Sequence, residues 1–283
     1  PGRVLWGEMP LGMAMYLMSR EDALKPDVPA PEHTALTSQA STGISPPEDF
    51  ARATAVIADK PIANPRKVRS LTLEIRGVPS PKLVISDSRQ QVSPVAARPG
   101  AYRYRIVASS GSAPDRKTPI KDAAVLRYVQ KAPYLDTDNA EIRQIARNLR
   151  DPASARRTAS RIRAWINKNL EPDYSIGVPR SATDVLQRRR GVCRDYAVLF
   201  AAIARAAGVP TRLVGGMVYA EGKFFYHAWV ECWTGAWVPF DATLPTDFVD
   251  ATHVKFAQGD ATDMMRVYEV VGKLTVRIIG TGY

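Results

Sequence analysis

Cysteine is scarce in this 283-residue chain, which holds only Cys193 and Cys232. Two cysteines cannot build a disulfide framework, and no CxxC pair exists to suggest one, leaving the redox compartment open. Histidine is equally sparse. His33, His227 and His253 are well separated and make no Cys/His zinc spacing, so neither a metal nor another cofactor is expected. No apolar run reaches the roughly 20 residues that a membrane helix needs. Basic clusters joined to aromatic platforms are also missing, which excludes nucleic acid as the expected partner. The chain begins at Pro1 with neither a methionine nor a signal peptide, and it reads as a fragment of a longer product.

What is present is ordinary for a soluble globular protein: 45% hydrophobic and 24% charged residues, enough to bury a sizeable core. The net charge is +11, and residues 141–190 hold eleven arginines and one lysine against five acids. Solvated faces of amphipathic helices account for that window. An anionic envelope surface is the other partner that it suggests.

Along the chain, residues 1–18 suit one or two strands, Ser19–Asp22 a short helix start, and 25–47 a linker rich in Pro, Ser, Thr and Ala. Residues 1–66 are therefore expected to be the remnant of an upstream domain plus linker. Between 68 and 108 the period is two: Leu71, Leu73 and Ile75 alternate with polar residues, as do Tyr102, Tyr104 and Ile106. That predicts a small antiparallel β domain over 67–112. After Asp138 helical spacing takes over. Asp138 with Glu141 is the expected cap of a first helix, and Asp151-Pro152 the expected start of a second. Ser181–Asp184 caps a third, with Gly191 as its stop. Val198, Leu199, Ala202, Ile203 and Ala206 form the apolar stripe of a fourth, ended by Gly208-Val209-Pro210. Strands follow at 211–219, 224–232 and 236–243, and a hairpin around Gly272-Lys273 closes the chain. Residues 113–283 form the expected catalytic domain, giving an α+β fold overall.

The chemistry centres on Gly191-Val192-Cys193-Arg194-Asp195. Cys193 stands where a helix begins, and unpaired N–H groups there favour a thiolate, the nucleophilic form. A base is needed within reach. His227 lies in Phe225–Cys232, where Ala228, Val230 and Cys232 share one strand face and His227, Trp229 and Glu231 the other. Val238 and Phe240 are the apolar pair of the next strand, leaving Asp241 on the opposite face. Stacking the two apolar sets requires an odd-length loop, such as Trp233-Thr234-Gly235. That register sets His227 directly across from Asp241, where a carboxylate can fix the imidazole tautomer. A two-residue loop would send Asp241 to the wrong face.

Taken together, Gly-x-Cys at 191–193, His-Ala-Trp-Val-Glu at 227–231 and Asp-Ala-Thr at 241–243 resemble the transglutaminase-like family of papain-fold proteins. The resemblance covers about 120–260 and includes Leu199-Phe200-Ala201 and Gly208–Arg212. It implies a helix bundle carrying Cys193 against an antiparallel sheet carrying His227 as general base and Asp241 as its orienter. It also implies cofactor-free acyl chemistry on a peptide or protein substrate, and a cell-envelope or periplasmic location. Arg194, where animal cross-linking enzymes have tryptophan, and Ala242, often proline, favour the microbial branch, commonly peptidases and amidases. Hydrolysis is the favoured outcome, with a protein-glutamine transglutaminase and a non-catalytic peptide-binding module as alternatives. Gln187, six residues before Cys193, Trp165 and Trp229 are candidate oxyanion or substrate contacts, weighed against solvation for the first and core packing for Trp165. Trp229, Trp233 and Trp237 either line the cleft or shield the histidine. Cys232 is expected to be packing, and His253 to make a structural hydrogen bond. Oligomeric state is not legible.

Overall fold

The computed structural model describes residues 6–9, 13–16, 54–109, 111–173 and 178–283. Strands β1 (Trp6–Met9) and β2 (Met13–Tyr16) pair antiparallel, so a hairpin occupies the stretch where one or two strands are expected. The helix start expected at 19–22 and the linker expected over 25–47 lie outside the described residues.

Ile44–Tyr283 form one compact unit. It opens with β3 (Val56–Ile57), β4 (Ser70–Arg76), β5 (Gln90–Pro94) and β6 (Ala101–Val107). The period-two pattern does what it predicts in β4, where Leu71, Leu73 and Ile75 are buried. Glu74 is buried too, its two oxygens held by Arg98 at 2.7 Å and Arg277 at 3.1 Å.

The helical region follows with α1 (Ala140–Leu149) and α2 (Ala155–Asn169), then β7 (Glu171–Pro172), α3 (Ala182–Arg188), β8 (Arg190–Gly191) and α4 (Cys193–Ala206). Three helix boundaries differ from expectation. Asn139, not Asp138, caps α1, accepting the amides of Glu141 and Ile142, while Asp138 pairs with Lys131. Ser154 caps α2 by accepting Arg157 N–H, so the helix starts after Asp151-Pro152. Asp151 instead takes the guanidinium of Arg157. The Ser181–Asp184 capping box forms as expected, but Arg189 (φ 57°) ends α3, not Gly191. Gly191 is needed for a different reason: a Cβ there would stand 2.6 Å from the Asp195 side chain.

Helix α4 is buried almost all round, more than a single stripe, because the other helices pack on it from one side and the central sheet from the other. That sheet contains β9 (Thr211–Ala220), β10 (Lys223–Trp233), β11 (Trp237–Phe240) and β12 (Val254–Gly259), in the order β11-β10-β9-β12, with β3 joining the far end of β10. Strand β12 has no counterpart in the sequence reading. Buried Lys255 interrupts its apolar pattern and is neutralised by Glu231 and Asp87, each at 2.5 Å.

The expected closing hairpin is not formed. Met264 ends a short helix, α5 (Ala261–Met264), which runs into the 3₁₀ turn Met265–Val270. Gly272 (φ 73°) then turns the chain into β13 (Thr275–Gly282), which pairs with β4. The sheet that begins at 70 is thus completed by the last residues of the chain, in the order β13-β4-β6-β5. One apolar cluster lies between the helices and Ala228, Val230, Val238 and Phe240. A second lies between the small sheet and Met217, Tyr219, Phe224 and Phe256.

Six arginines of 141–190 are engaged by carboxylates: Arg157 and Arg161 by Asp151, Arg163 by Asp247, Arg180 by Asp195, Arg189 by Glu141 and Arg190 by Asp173. Of these carboxylates only Asp195 and Asp247 lie outside the window, so most of its excess positive charge is left unpaired by these contacts.

Candidate active site

Cys193 is the first residue of α4. Val192 before it is extended, and Asp195 at the third position accepts the Val192 N–H at 3.1 Å, closing the helix start. Arg180 meets the same Asp195 oxygen at 3.2 Å. Burial pushes the Asp195 carboxyl up, with Arg194 working against it.

Helix α4 delivers Cys193 to an interrupted edge of β10. On that edge β11 pairs only with residues 230–233 and β3 only with 223–224. Among the described residues the strand between them has no neighbour on that edge, so its outward backbone groups, the Ala228 amide among them, are available to the cleft. A cleft of about 690 Å³ opens over this gap, lined among others by Cys193, His227, Ala228, Tyr226 and Tyr268.

The β10–β11 register differs from expectation by two residues. Trp233 pairs with Trp237 and Val230 with Phe240, so the loop is Thr234-Gly235-Ala236, with Gly235 at φ 113°. The loop length stays odd and parity is kept. Asp241 shares the face of His227 but lies diagonal to it, just beyond the end of β11. The contact forms nonetheless: His227 Nε2 to Asp241 Oδ2 is 2.7 Å. Asp241 Oδ1 accepts the Thr243 amide at 2.9 Å and its hydroxyl at 2.7 Å.

With Nε2 directed at Asp241, the other ring nitrogen is the one available to the Cys193 thiol. Burial alone would raise the Cys193 thiol. The His227 hydrogen bond and charge, with the Ala228 amide, outweigh it and hold the thiol below its ordinary value. For His227, burial pulls downward, but Asp241 and then Cys193 lift the imidazole to about 10. Burial would raise Asp241, yet His227 and His253 hold its carboxyl well below the usual range. All three directions favour a thiolate–imidazolium pair backed by a carboxylate.

The remaining candidates are placed differently. Trp229 is buried, its ring stacked beside His227 at 6.1 Å and 22°, so it shields the imidazole and is not part of the cleft wall. Gly216 makes room for it: a Cβ there would stand 2.7 Å from the indole and 2.0 Å from the Val254 carbonyl oxygen. Gln187 is exposed on α3, because the helix phase that buries Val185 and Leu186 turns it outward. Trp165 packs against the helical core under the guanidinium of Arg189, 5.1 Å from its ring centre. Neither is brought to the cleft. Trp233 and Trp237 pack on one another, 5.4 Å apart, at the loop end of the hairpin.

Sequence reasoning did not place His253 at this site. Its Nε2 lies 3.2 Å from Asp241 Oδ2. The ligand atoms of His227, Asp241 and His253 fall within 4.8 Å of one another, the one such group among the described residues. Separations of 2.7 and 3.2 Å around one oxygen are hydrogen-bond lengths, and an ion there would have to break the His227–Asp241 contact.

Residues 143–242 match the family described as the transglutaminase-like superfamily. An uncharacterized protein of Mycobacterium leprae (strain TN) is 33% identical over 143 residues, 46% of this chain and 47% of the relative, so the chain spans about half its length. A candidate cysteine protease from Cytophaga hutchinsonii aligns at a TM-score of 0.50 and 19% identity, over 74% of this chain and 82% of that one. The periplasmic domain of TgpA from Pseudomonas aeruginosa aligns at 0.45 and 20% identity, over 71% and 94%. An α+β fold with a helix-borne cysteine against an antiparallel sheet accompanies that match, so residues 143–242 of this chain form a transglutaminase-like domain.

Proposed function

We propose that this protein is a cysteine-dependent acyl-transfer enzyme that hydrolyses peptide or isopeptide amides. One observation carries the reading: His227, held by Asp241 at 2.7 Å, and Cys193 at the start of its helix line the same open cleft. The Cys193 thiolate attacks the amide carbonyl carbon, forming a C–S bond and moving the π electrons onto oxygen. The Cys193 N–H, in the helix turn that lacks intrahelical acceptors, donates to that oxyanion. His227 imidazolium protonates the leaving nitrogen as the C–N bond breaks, leaving a thioester. Neutral His227 then takes a proton from water, whose oxygen attacks the thioester, and the acid departs as the thiolate–imidazolium pair is restored. Asp241 keeps the imidazole oriented throughout.

A cysteine-directed epoxide or iodoacetamide tests the first half of this reading. Labelling of Cys193 at neutral pH, lost in Cys193→Ala, is expected. Absence of labelling would leave a peptide-binding module. Incubation with a glutamine peptide and a primary amine tests the acceptor: incorporation of the amine in place of the free acid would overturn hydrolysis in favour of transamidation. An envelope location belongs to the same reading, resting on the family resemblance, and cell fractionation tests it.

A further inference from the structure

Asp241 Oδ2 accepts from two imidazoles, not one. His227 Nε2 meets it at 2.7 Å and His253 Nε2 at 3.2 Å. His253 is wholly buried, its ring set edge-on to His227 at 5.8 Å and to Trp229 at 5.4 Å. With Thr243 supplying two donors to Oδ1, the buried carboxylate has all its acceptor directions filled.

The loop carrying His253 is pinned from the small sheet. Arg89, on the approach to β5, donates to the carbonyl oxygens of His253 at 3.0 Å and Asp250 at 2.9 Å. Asp250 Oδ1 accepts the Thr252 amide at 2.8 Å, and Arg66 reaches Asp250 at 2.8 Å. The charged groups around His253 are thus Asp241 at Nε2, Asp250 at 3.5 Å from Nδ1, His227 at the ring edge, Arg66 beyond Asp250, and Arg89 on the backbone.

We propose that His253 is a positioning residue for the reaction: its Nε2–H holds the Asp241 carboxylate ionised and at the angle His227 requires, and Arg89 fixes His253 in turn. A buried carboxylate that loses a donor protonates more readily and turns more freely, so the pair at Cys193 forms over a narrower range. This inference rests on the proposed roles of Cys193, His227 and Asp241.

The test compares His253→Gln, whose side-chain amide keeps a donor near the Nε2 position, with His253→Leu, which keeps bulk and removes the donor. Thiol alkylation is followed against pH, with folding checked by circular dichroism. For His253→Leu the acid limb is expected to move up by about one unit, so alkylation around that limb slows about tenfold. His253→Gln is expected to stay near the parent. In an Asp241→Asn background the difference between the two variants should vanish. A folded His253→Leu with the parent profile, or Gln and Leu variants shifted alike, overturns the proposal. If the Leu variant does not fold, nitrogen-15 spectra of the parent and Asp241→Asn proteins decide. The Nε2–H signals of both His227 and His253 should move with that substitution, and an unmoved His253 signal overturns the assignment. A parent protein whose Cys193 alkylates only near an ordinary thiol value would instead sink the underlying catalytic reading.

Discussion

Asp241 continues the β10–β11 register opposite Trp229, and it meets His227 across the diagonal, Oδ2 to Nε2, at 2.7 Å. The imidazole therefore depends on a residue outside the strand ladder, held by Thr243 and His253. Asp241→Asn keeps the size and removes the charge. The imidazole loses its main upward pull, and the thiol rises because losing the His227 charge that holds it down outweighs relief from the smaller, opposing Asp241 charge. Alkylation of Cys193 at neutral pH should slow by about 100-fold, the equivalent of roughly two pKa units. An unchanged rate would show that the carboxylate does not support the pair.

The pH profile follows from the same shifts. Cys193 sits below its ordinary value, so its thiolate form extends to lower pH than in a free thiol, and His227 stays protonated up to about 10. Alkylation should therefore rise on the acid side and run on a plateau through neutrality, with a further change only as His227 deprotonates. A single rise near a free-thiol value of roughly 8.5 would contradict this. The stability sign is fixed by the direction for His227. Its folded value is raised, so the contribution is complete below the unfolded value of roughly 6.5 and is lost as pH climbs through about 10. His227→Ala should accordingly cost more in thermal stability near pH 6 than above pH 10.

Cys232 is fully buried beside Thr211, and burial pushes its thiol up to about 12. The native protein should therefore take one alkyl group, on Cys193, readable by peptide mass spectrometry. Cys232→Ala should leave the alkylation profile unchanged. A second adduct without unfolding would mean that Cys232 is reachable.

Gly216 has no room for a side chain, since its Cβ would overlap the Val254 carbonyl oxygen and crowd the Trp229 indole. Gly216→Ala should destabilise the fold by about 1–3 kcal/mol, the range for overpacking a core. Because Trp229 covers His227, thiol reactivity should fall as well. Denaturant titration and alkylation on the same sample check both, and a neutral substitution would show that the strands part easily there.

Residues 68–108 and 211–243 were legible because alternation is a local property: successive side chains on a strand point to opposite faces whatever the strand pairs with. Leu71, Leu73 and Ile75 needed no partner to be read as an inner face. The same parity put Asp241 on the side of His227, and that survived a two-residue error in register. Helix ends were less legible. Asn139 and Ser154 cap where Asp138 and Asp151 were expected, because their side chains, one and three residues nearer the first turn, reach its free amides.

Pairing partners were not legible at all. That β13 joins β4, some 200 residues upstream, and that β12 lies beside β9 depend on which surfaces exclude water together. Lys255 hides β12 from any hydropathy reading, since its burial makes sense only beside Glu231 and Asp87. By itself, then, the sequence determined which residues share a strand face and so put Asp241 on the side of His227, while the family resemblance supplied Cys193 as their companion. Only the tertiary structure decided the diagonal geometry of the His227–Asp241 contact and brought in His253, because covalent geometry sets orientation along a strand while packing between distant segments sets position.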